Sequence, residues 1–318
     1  MGIIVVDLTI VLCTRNRSDK LQGALDALRR VRSAAEWEAV LVDNGSTDAT
    51  KNVIADATRD NPRVRYVYEP QAGVGAARDA GWRAALGQII SFTDDDCYVD
   101  SRYVDSVLEV FREHKDVGYV GGRILLFDPE DAPFTIDERD KPANLNAYDF
   151  IPAGAIHGAN LSFRRTILEE IGGVDRKIGV GTLYPFEDID LVARAAWSGI
   201  KGRFDPLPVV LHHHRRRLPD LPALEASYDR GRGAYYMKFI LRPDSRRVYV
   251  NAWMQTTFKS RGAESWRRRR RELVAARSYL NQTASIFRRL RFGPQLWLAS
   301  LASQVILTVS LLRAAMRR

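Results

Sequence analysis

The chain has 318 residues, 46% hydrophobic and 27% charged, the balance of a soluble globular protein with a sizeable core. Its two cysteines, Cys13 and Cys97, form no CxxC pair, which argues against a disulfide scaffold or a cysteine-based zinc site and fits a reducing compartment. The formal net charge is +9, yet residues 261–318 hold 13 Arg, no Lys and two acids, Glu264 and Glu272. A near-neutral body with a basic tail is not the footprint of a globally basic nucleic-acid-binding protein.

The opening MGIIVVDLTIVLCTRNR has no basic residue ahead of its apolar run and no small-residue cleavage site, so it reads as a first strand rather than a signal peptide. LTIVLC at 8–13 is a continuous apolar run. In SDKLQGALDALRRV, Leu21, Ala24, Leu25, Leu28 and Val31 share one helical face, with Ser18 as the expected N-cap. EAVLVD (38–43), a helix opening near STDAT, VRYVYE (64–69), a helix in GVGAARDAGWRAALG and QIISFT (88–93) follow. Strands alternating with helices predict a parallel, doubly wound α/β sheet. Ligands of such sheets bind beyond the carboxyl ends of the strands, which here carry CTRNR, VDNGSTD and TDDD.

Residues 128–152, rich in Pro, Asp and Glu, read as a long mobile connection. GANLSFRRTILEEIGGVD predicts a strand running into a helix that stops at Gly172–Gly173. EDIDLVARAAWSG predicts an amphipathic helix with Ile189, Val192, Ala193 and Ala196 on one side and Gly199 past its end. GRFDPLPVVLHHH reads as a strand ending in His212, His213 and His214.

The sharpest chemical signal is the run Asp94, Asp95 and Asp96 at the end of an apolar strand. Two carboxylates about 4 Å apart repel by about 1 kcal/mol in water and several-fold more when partly desolvated. The plain alternative is a solvated acidic turn. The other is a site where Asp94 and Asp96 share Mg²⁺ or Mn²⁺ with a diphosphate, the ion acting as a Lewis acid toward a leaving nucleotide diphosphate. Asp43 stands where it could bond a nucleobase or ribose, or simply form a turn. Gly73-Val74-Gly75 lacks the third glycine and the position of a dinucleotide fingerprint, and Arg78 interrupts it. An arginine facing a diphosphate is the better use of that helix.

TRN after the first strand, VDNGSTDAT, AGVGAARDAG, the triple Asp, GGVD with FEDIDLVARAAWSG, and a late histidine stand in an order that resembles glycosyltransferase family 2 over roughly residues 7 to 214. The resemblance implies a GT-A, Rossmann-like nucleotide-diphospho-sugar transferase domain over 1–215, inverting and metal-dependent; beyond it, 216–318 reads from its own pattern and charge as a mostly helical basic region. It implies Thr14, Arg15 and Asp43 around the nucleoside and Arg78 near ribose and diphosphate. Asp94 and Asp96 match the DxD pair, with Asp95 contacting donor or metal. The catalytic base falls in ED, on Asp188 with Glu187 beside it. A histidine after the last strand completes the metal shell in similar enzymes, His212 ahead of His214. Inversion needs a carboxylate to deprotonate the attacking hydroxyl, although two acids at a helix start also suit its dipole. Asp79 departs from the residue common in the family, asparagine after the arginine, and sets a negative charge near the expected donor pocket.

In the tail, Leu273, Leu280, Phe287 and Leu290 can share a helical face, and 296–312 offers 17 uncharged residues. Attachment to an anionic membrane surface is the favoured reading, ahead of a packing or dimerisation helix and of a true span. RRRRR at 267–271 could equally be a solvated face. The expected partners are a nucleotide-diphosphate sugar, with uridine as base ahead of guanosine or thymidine, and a glycan or polyprenyl-linked acceptor. The expected location is cytoplasmic, at the inner face of the cell membrane. A sugar nucleotidyltransferase would need a glycine-rich loop after the first strand, which CTRNRSDK lacks. A nucleic-acid-binding protein is the reading that the basic tail alone would suggest, and RRRRR has no interleaved aromatics.

Overall fold

The computed structural model describes residues 5–259, 263–283, 292–295 and 297–299. The chain divides into two compact units, Met1–Thr182 with Glu187–Leu221 and Leu183–Phe186 with Pro222–Arg318.

In the first unit the order is β1 (Leu8–Thr14), α1 (Gln22–Arg30), β2 (Trp37–Asp43), α2 (Thr50–Asp60), β3 (Val64–Tyr68), α3 (Val74–Ala84), β4 (Ile89–Asp94), β5 (Cys97–Val99), α4 (Tyr103–Glu113) and β6 (Val117–Leu126). Then come β7 (Ala143–Leu145), β8 (Leu161–Arg164), α5 (Arg165–Glu170), α6 (Glu187–Trp197) and β9 (Lys201–His212). β1 and β2 are buried along their whole length, as continuous apolar runs must be when helices cover both faces. Leu8, Ile10 and Leu12 pack in one core with Leu21, Leu25 and Leu28, Ile54, and Val104, Val107 and Phe111 of α4. Each such side chain contributes about 1.5–3 kcal/mol on burial. α3 lies very close to the sheet: a Cβ at Gly81 would stand 2.3 Å from Val11 Cγ1 and 2.9 Å from Val42 Cγ2.

The nine-stranded sheet runs β3-β2-β1-β4-β8-β6-β9-β5, with β7 added beside β9. β3, β2, β1 and β4 are parallel, as the alternation of strands and helices predicts. The sheet as a whole is not: β8 is antiparallel to both β4 and β6, while β6 and β9 are parallel. A crossover helix imposes parallel pairing, and β8 is reached through a long irregular connection instead. Its reversal brings the start of β8, rather than its end, to the edge where β1, β2, β3, β4, β6 and β9 finish.

Two local expectations differ. Ser18 does not cap α1, whose cap position is Leu21; Ser18 N–H and Oγ–H both donate to Asp48 Oδ2, at 3.1 and 2.9 Å. The carboxylate is the stronger acceptor and holds the β1–α1 loop against the β2–α2 loop. The connection over 128–152 is tied down by an Ile124–Asp137 bridge and by Arg139, which pairs with Asp137, donates to Ala155 O at 2.8 Å and lies 3.7 Å over the Phe204 ring.

The second unit contains α7 (Leu221–Ile240), α8 (Arg246–Lys259) and α9 (Ala263–Thr283). Tyr236 stacks on Trp253 at 5.1 Å, and Tyr235 and Tyr249 share a hydroxyl contact of 2.7 Å. α7 meets α9 at Gly233, where a Cβ would lie 2.1 Å from Glu272 O. The arginine run does not act as one solvated face: Arg269 is buried over Trp266, and Arg271 pairs with Asp229 and Glu264. Leu280 is buried and Leu273 half-buried, whereas Phe287, Leu290 and most of 296–312 lie outside the described residues. Among the described residues no helix is long and apolar enough to cross a membrane.

Candidate active site

The strands of the first unit end in a cluster of charge. β4 finishes at Asp94, and a turn through Asp95 and Asp96 leads into β5, which pairs with the end of β9 through Cys97 and His212. This pairing carries His212 to the acidic turn: Nε2 lies 3.4 Å from Asp96 Oδ1, and the His213 N–H donates to Asp96 O at 2.8 Å. Burial pushes the Asp96 carboxyl up, but the bond and charge of His212 outweigh it and hold Asp96 below the usual carboxylate range. His212 responds in the opposite sense: burial lowers it and Asp96 raises it to a net increase. Its Nδ1 lies 3.3 Å from Thr135 Oγ1, whose own proton goes to Phe134 O at 2.6 Å. Thr135 can therefore only accept from Nδ1–H, which leaves Nε2 directed at Asp96.

The donor set could hold a divalent cation. Ligand atoms of Asp96, Cys97 and His212 lie within 4.8 Å of one another. Of these, burial raises the Cys97 thiol well above its ordinary value, and as a soft ligand it is the least suited to a hard cation. Carboxylate, a hard ligand, and imidazole, a borderline one, remain. Asp94 is turned elsewhere, its Oδ1 accepting from an Arg78 terminal nitrogen at 2.8 Å while its side chain stays 36% exposed.

Asp95 faces the other way. Thr14 Oγ–H donates to its Oδ2 at 2.6 Å and Arg17 Nε lies 3.7 Å from Oδ1. Burial, with Asp96 adding to it, pushes this carboxyl up to about 6. Arg15 is exposed and makes no such contact; Arg17, which sequence reasoning passed over, is the arginine of this loop that reaches the acidic turn. Asp43 is buried, with Oδ1 accepting from Ser46 N–H at 2.8 Å and Oδ2 from Tyr66 O–H at 3.3 Å.

Arg78, on α3, is the hinge of the charge cluster. It is 3% exposed and spans from Asp94 to Glu187 Oε1, the latter at 3.2 Å. A guanidinium this deep requires such partners. Burial pushes the Glu187 carboxyl up to about 7, Arg78 opposing it and Asp188 adding to it. Asp188, half-buried beside it at the start of α6, accepts from Gly158 N–H at 2.9 Å through Oδ2 and from Ile189 N–H at 2.7 Å through Oδ1. Gly158 comes from the 3₁₀ turn Gly158–Asn160 just before the reversed strand β8. His157, next to it, is held below the ordinary histidine range by burial. No sequence pattern marks Gly158, His157 or Thr135, because each acts only through the tertiary fold.

The unexplained acid is also accounted for. Asp79 accepts from Trp82 Nε1 at 2.8 Å and Arg83 Nε at 3.0 Å, with Arg176 3.4 Å away. Its partners lie in α3 and in the segment after α5, so it is bound into the scaffold by its own cations.

A Rossmann-like sheet with a carboxylate–histidine turn, a buried arginine and helix-start acids at its carboxyl edge defines a GT-A type domain. The chain belongs to glycosyl transferase family 2, whose model matches residues 9–172. It is 25% identical over 234 residues to the pre-mycofactocin glycosyltransferase of Mycobacterium tuberculosis, covering 70% of this chain and 46% of that protein. It is 34% identical over 125 residues to the validoxylamine A glucosyltransferase of Streptomyces hygroscopicus, covering 38% of this chain and 29% of that one. The chain thus spans about half or less of the length of these relatives. The solved mannosyltransferase PcManGT of Pyrobaculum calidifontis, in complex with GDP-Man and Mn²⁺, shares the fold with a TM-score of 0.59 at 18% identity, over 98% of this chain and 86% of that one. S. aureus TarS 1-349 with UDP-GlcNAc has a TM-score of 0.60 at 12% identity, over 94% and 89%.

Proposed function

We propose that this chain is an inverting, metal-dependent glycosyltransferase that moves one sugar from a nucleotide-diphosphate donor to a glycan or lipid-linked acceptor, with a UDP-sugar the first donor to test. The observation that carries this reading is the meeting of Asp96 with His212 and of Arg78 with Asp94 and Glu187 at one sheet edge.

Asp96 and His212 would hold Mg²⁺ or Mn²⁺, with Asp94 as a further ligand on release from Arg78, and the ion would supply Lewis-acid neutralisation of charge on the diphosphate. Thr14, Arg15, Asp43 and Asp95 would contact the donor, and Arg78 its diphosphate, the guanidinium fork matching phosphate oxygens. Asp188 would take the proton of the acceptor hydroxyl as its oxygen attacks the anomeric carbon. A new C–O bond forms on one face, the bond to the diphosphate breaks on the other with its electron pair leaving on the nucleotide, and the configuration inverts. Glu187, buried against Arg78, would keep that guanidinium in place. Two neighbours solved with GDP-Man and UDP-GlcNAc support a nucleotide-sugar donor. The basic region after residue 215 would bring the transferase domain to an anionic membrane surface at the inner face of the cell membrane.

The test is a donor screen in Mn²⁺ or Mg²⁺, scoring nucleotide-diphosphate release with and without acceptor and after EDTA. Release that needs the ion and rises with acceptor is the expected result. Absence of binding heat with any activated sugar and either ion, together with indifference to EDTA, would overturn the reading.

A further inference from the structure

Two contacts converge on Gly158. Its N–H donates to Asp188 Oδ2 at 2.9 Å. A Cβ built on it would stand 2.2 and 2.7 Å from the two terminal nitrogens of Arg78 and 2.8 Å from its Cζ, well inside van der Waals separation. The guanidinium cannot give way without breaking its contacts with Asp94 at 2.8 Å and Glu187 at 3.2 Å. Gly158 does not have the positive φ that would itself demand glycine, so an alanine could adopt its backbone. The three atoms nearest to such a Cβ all belong to Arg78.

We infer that Gly158 is a positioning residue: its bare Cα seats the Arg78 guanidinium while its amide holds the Asp188 carboxylate, so that one backbone position sets the donor-side arginine relative to the base. The inference rests on the proposed role of Arg78 at the donor diphosphate. The contact works in both directions. Any group that displaced Arg78 toward Gly158 would press on the turn that also carries the amide bound to Asp188.

A double-mutant cycle in the full chain tests this, using Gly158→Ala, Arg78→Lys and their combination. Lysine ends in an ammonium without the planar fork, so the alanine methyl then has no guanidinium to collide with. Affinity for UDP and, in parallel, GDP in Mn²⁺ is read by calorimetry, with thermal melting as a control for folding. Gly158→Ala should weaken binding of the nucleotide that the wild type prefers by about tenfold or more, since misplacements of about 1 Å at such sites are strongly felt. The double variant should bind no worse than Arg78→Lys alone. A merely structural glycine would give independent losses that multiply, and that result overturns the inference, as does unchanged affinity in Gly158→Ala. If Gly158→Ala does not fold, recovery of folding by the added Arg78→Lys supports the inference and failure to recover opposes it. Arg78→Lys binding like wild type, or no binding of either nucleotide to wild type, would instead remove the site reading beneath it.

Discussion

His212 Nε2 lies 3.4 Å from Asp96 Oδ1, one from the last residue of β9 and the other from the turn after β4. Their meeting depends on the antiparallel pairing of β5 with β9, and Thr135 behind the imidazole fixes which nitrogen faces the carboxylate. Asp96→Ala should abolish metal-dependent donor binding measured by calorimetry. Thr135→Ala, which touches only the far nitrogen, should weaken Mn²⁺ affinity by about 10- to 100-fold, the usual effect of losing such an outer partner. Unchanged affinity in both variants would place the cation elsewhere.

Asp188→Asn keeps an oxygen for the Gly158 amide and removes the proton acceptor. Transfer should fall by about 10²–10⁴ in kcat with donor affinity nearly unaltered. Near-normal turnover would mean that another group is the base.

Asp79 receives bonds from Trp82 and Arg83 of α3, with Arg176 at 3.4 Å. Asp79→Ala leaves the buried indole N–H without its acceptor and should reduce stability by about 1–3 kcal/mol in denaturant unfolding. Nucleotide affinity of the folded variant should stay at the wild-type level. A selective loss of affinity with stability intact would show that the acid serves the donor pocket after all.

Acid sensitivity has a named contributor. Burial holds the His157 imidazole below its usual 6.5, with Arg139 and His212 acting in the same sense and Asp188 and Asp137 opposing it. The unfolded chain therefore takes up a proton that the folded one resists. This contribution is complete above the unfolded value and is lost as pH falls toward the folded one. His157→Gln cannot protonate, so its melting temperature should drop less than that of wild type between about pH 7 and about pH 5. Equal drops would clear His157 of the effect.

The first four strands and their helices could be read from the sequence because their information is local. Runs such as LTIVLC and QIISFT bury both faces of a strand, and the spacing of Leu21, Leu25 and Leu28 buries one face of a helix, whatever lies beyond. α6 departs from its amphipathic reading: Ile189, Val192, Ala193 and Ala196 are buried, but so are Asp190, Leu191, Ala195 and Trp197 on its other faces, because it is packed on nearly all sides. Strand direction carries no such mark. LSFR would look alike in a parallel or an antiparallel strand, and only pairing with both β4 and β6 reverses it.

Residue types at strand ends pointed to the acidic turn and Arg78 as candidates, whereas the roles expected of the Glu187–Asp188 pair and of His212 came from the resemblance to the family pattern. What they touch was settled by folding. Asp96 rather than Asp94 meets His212, Arg17 rather than Arg15 reaches Asp95, and the Asp79 carboxylate is spent on Trp82 and Arg83. Gly158 has no side-chain chemistry to notice at all. Its place depends on a backbone amide and an empty volume, and both exist only once distant segments have packed against each other.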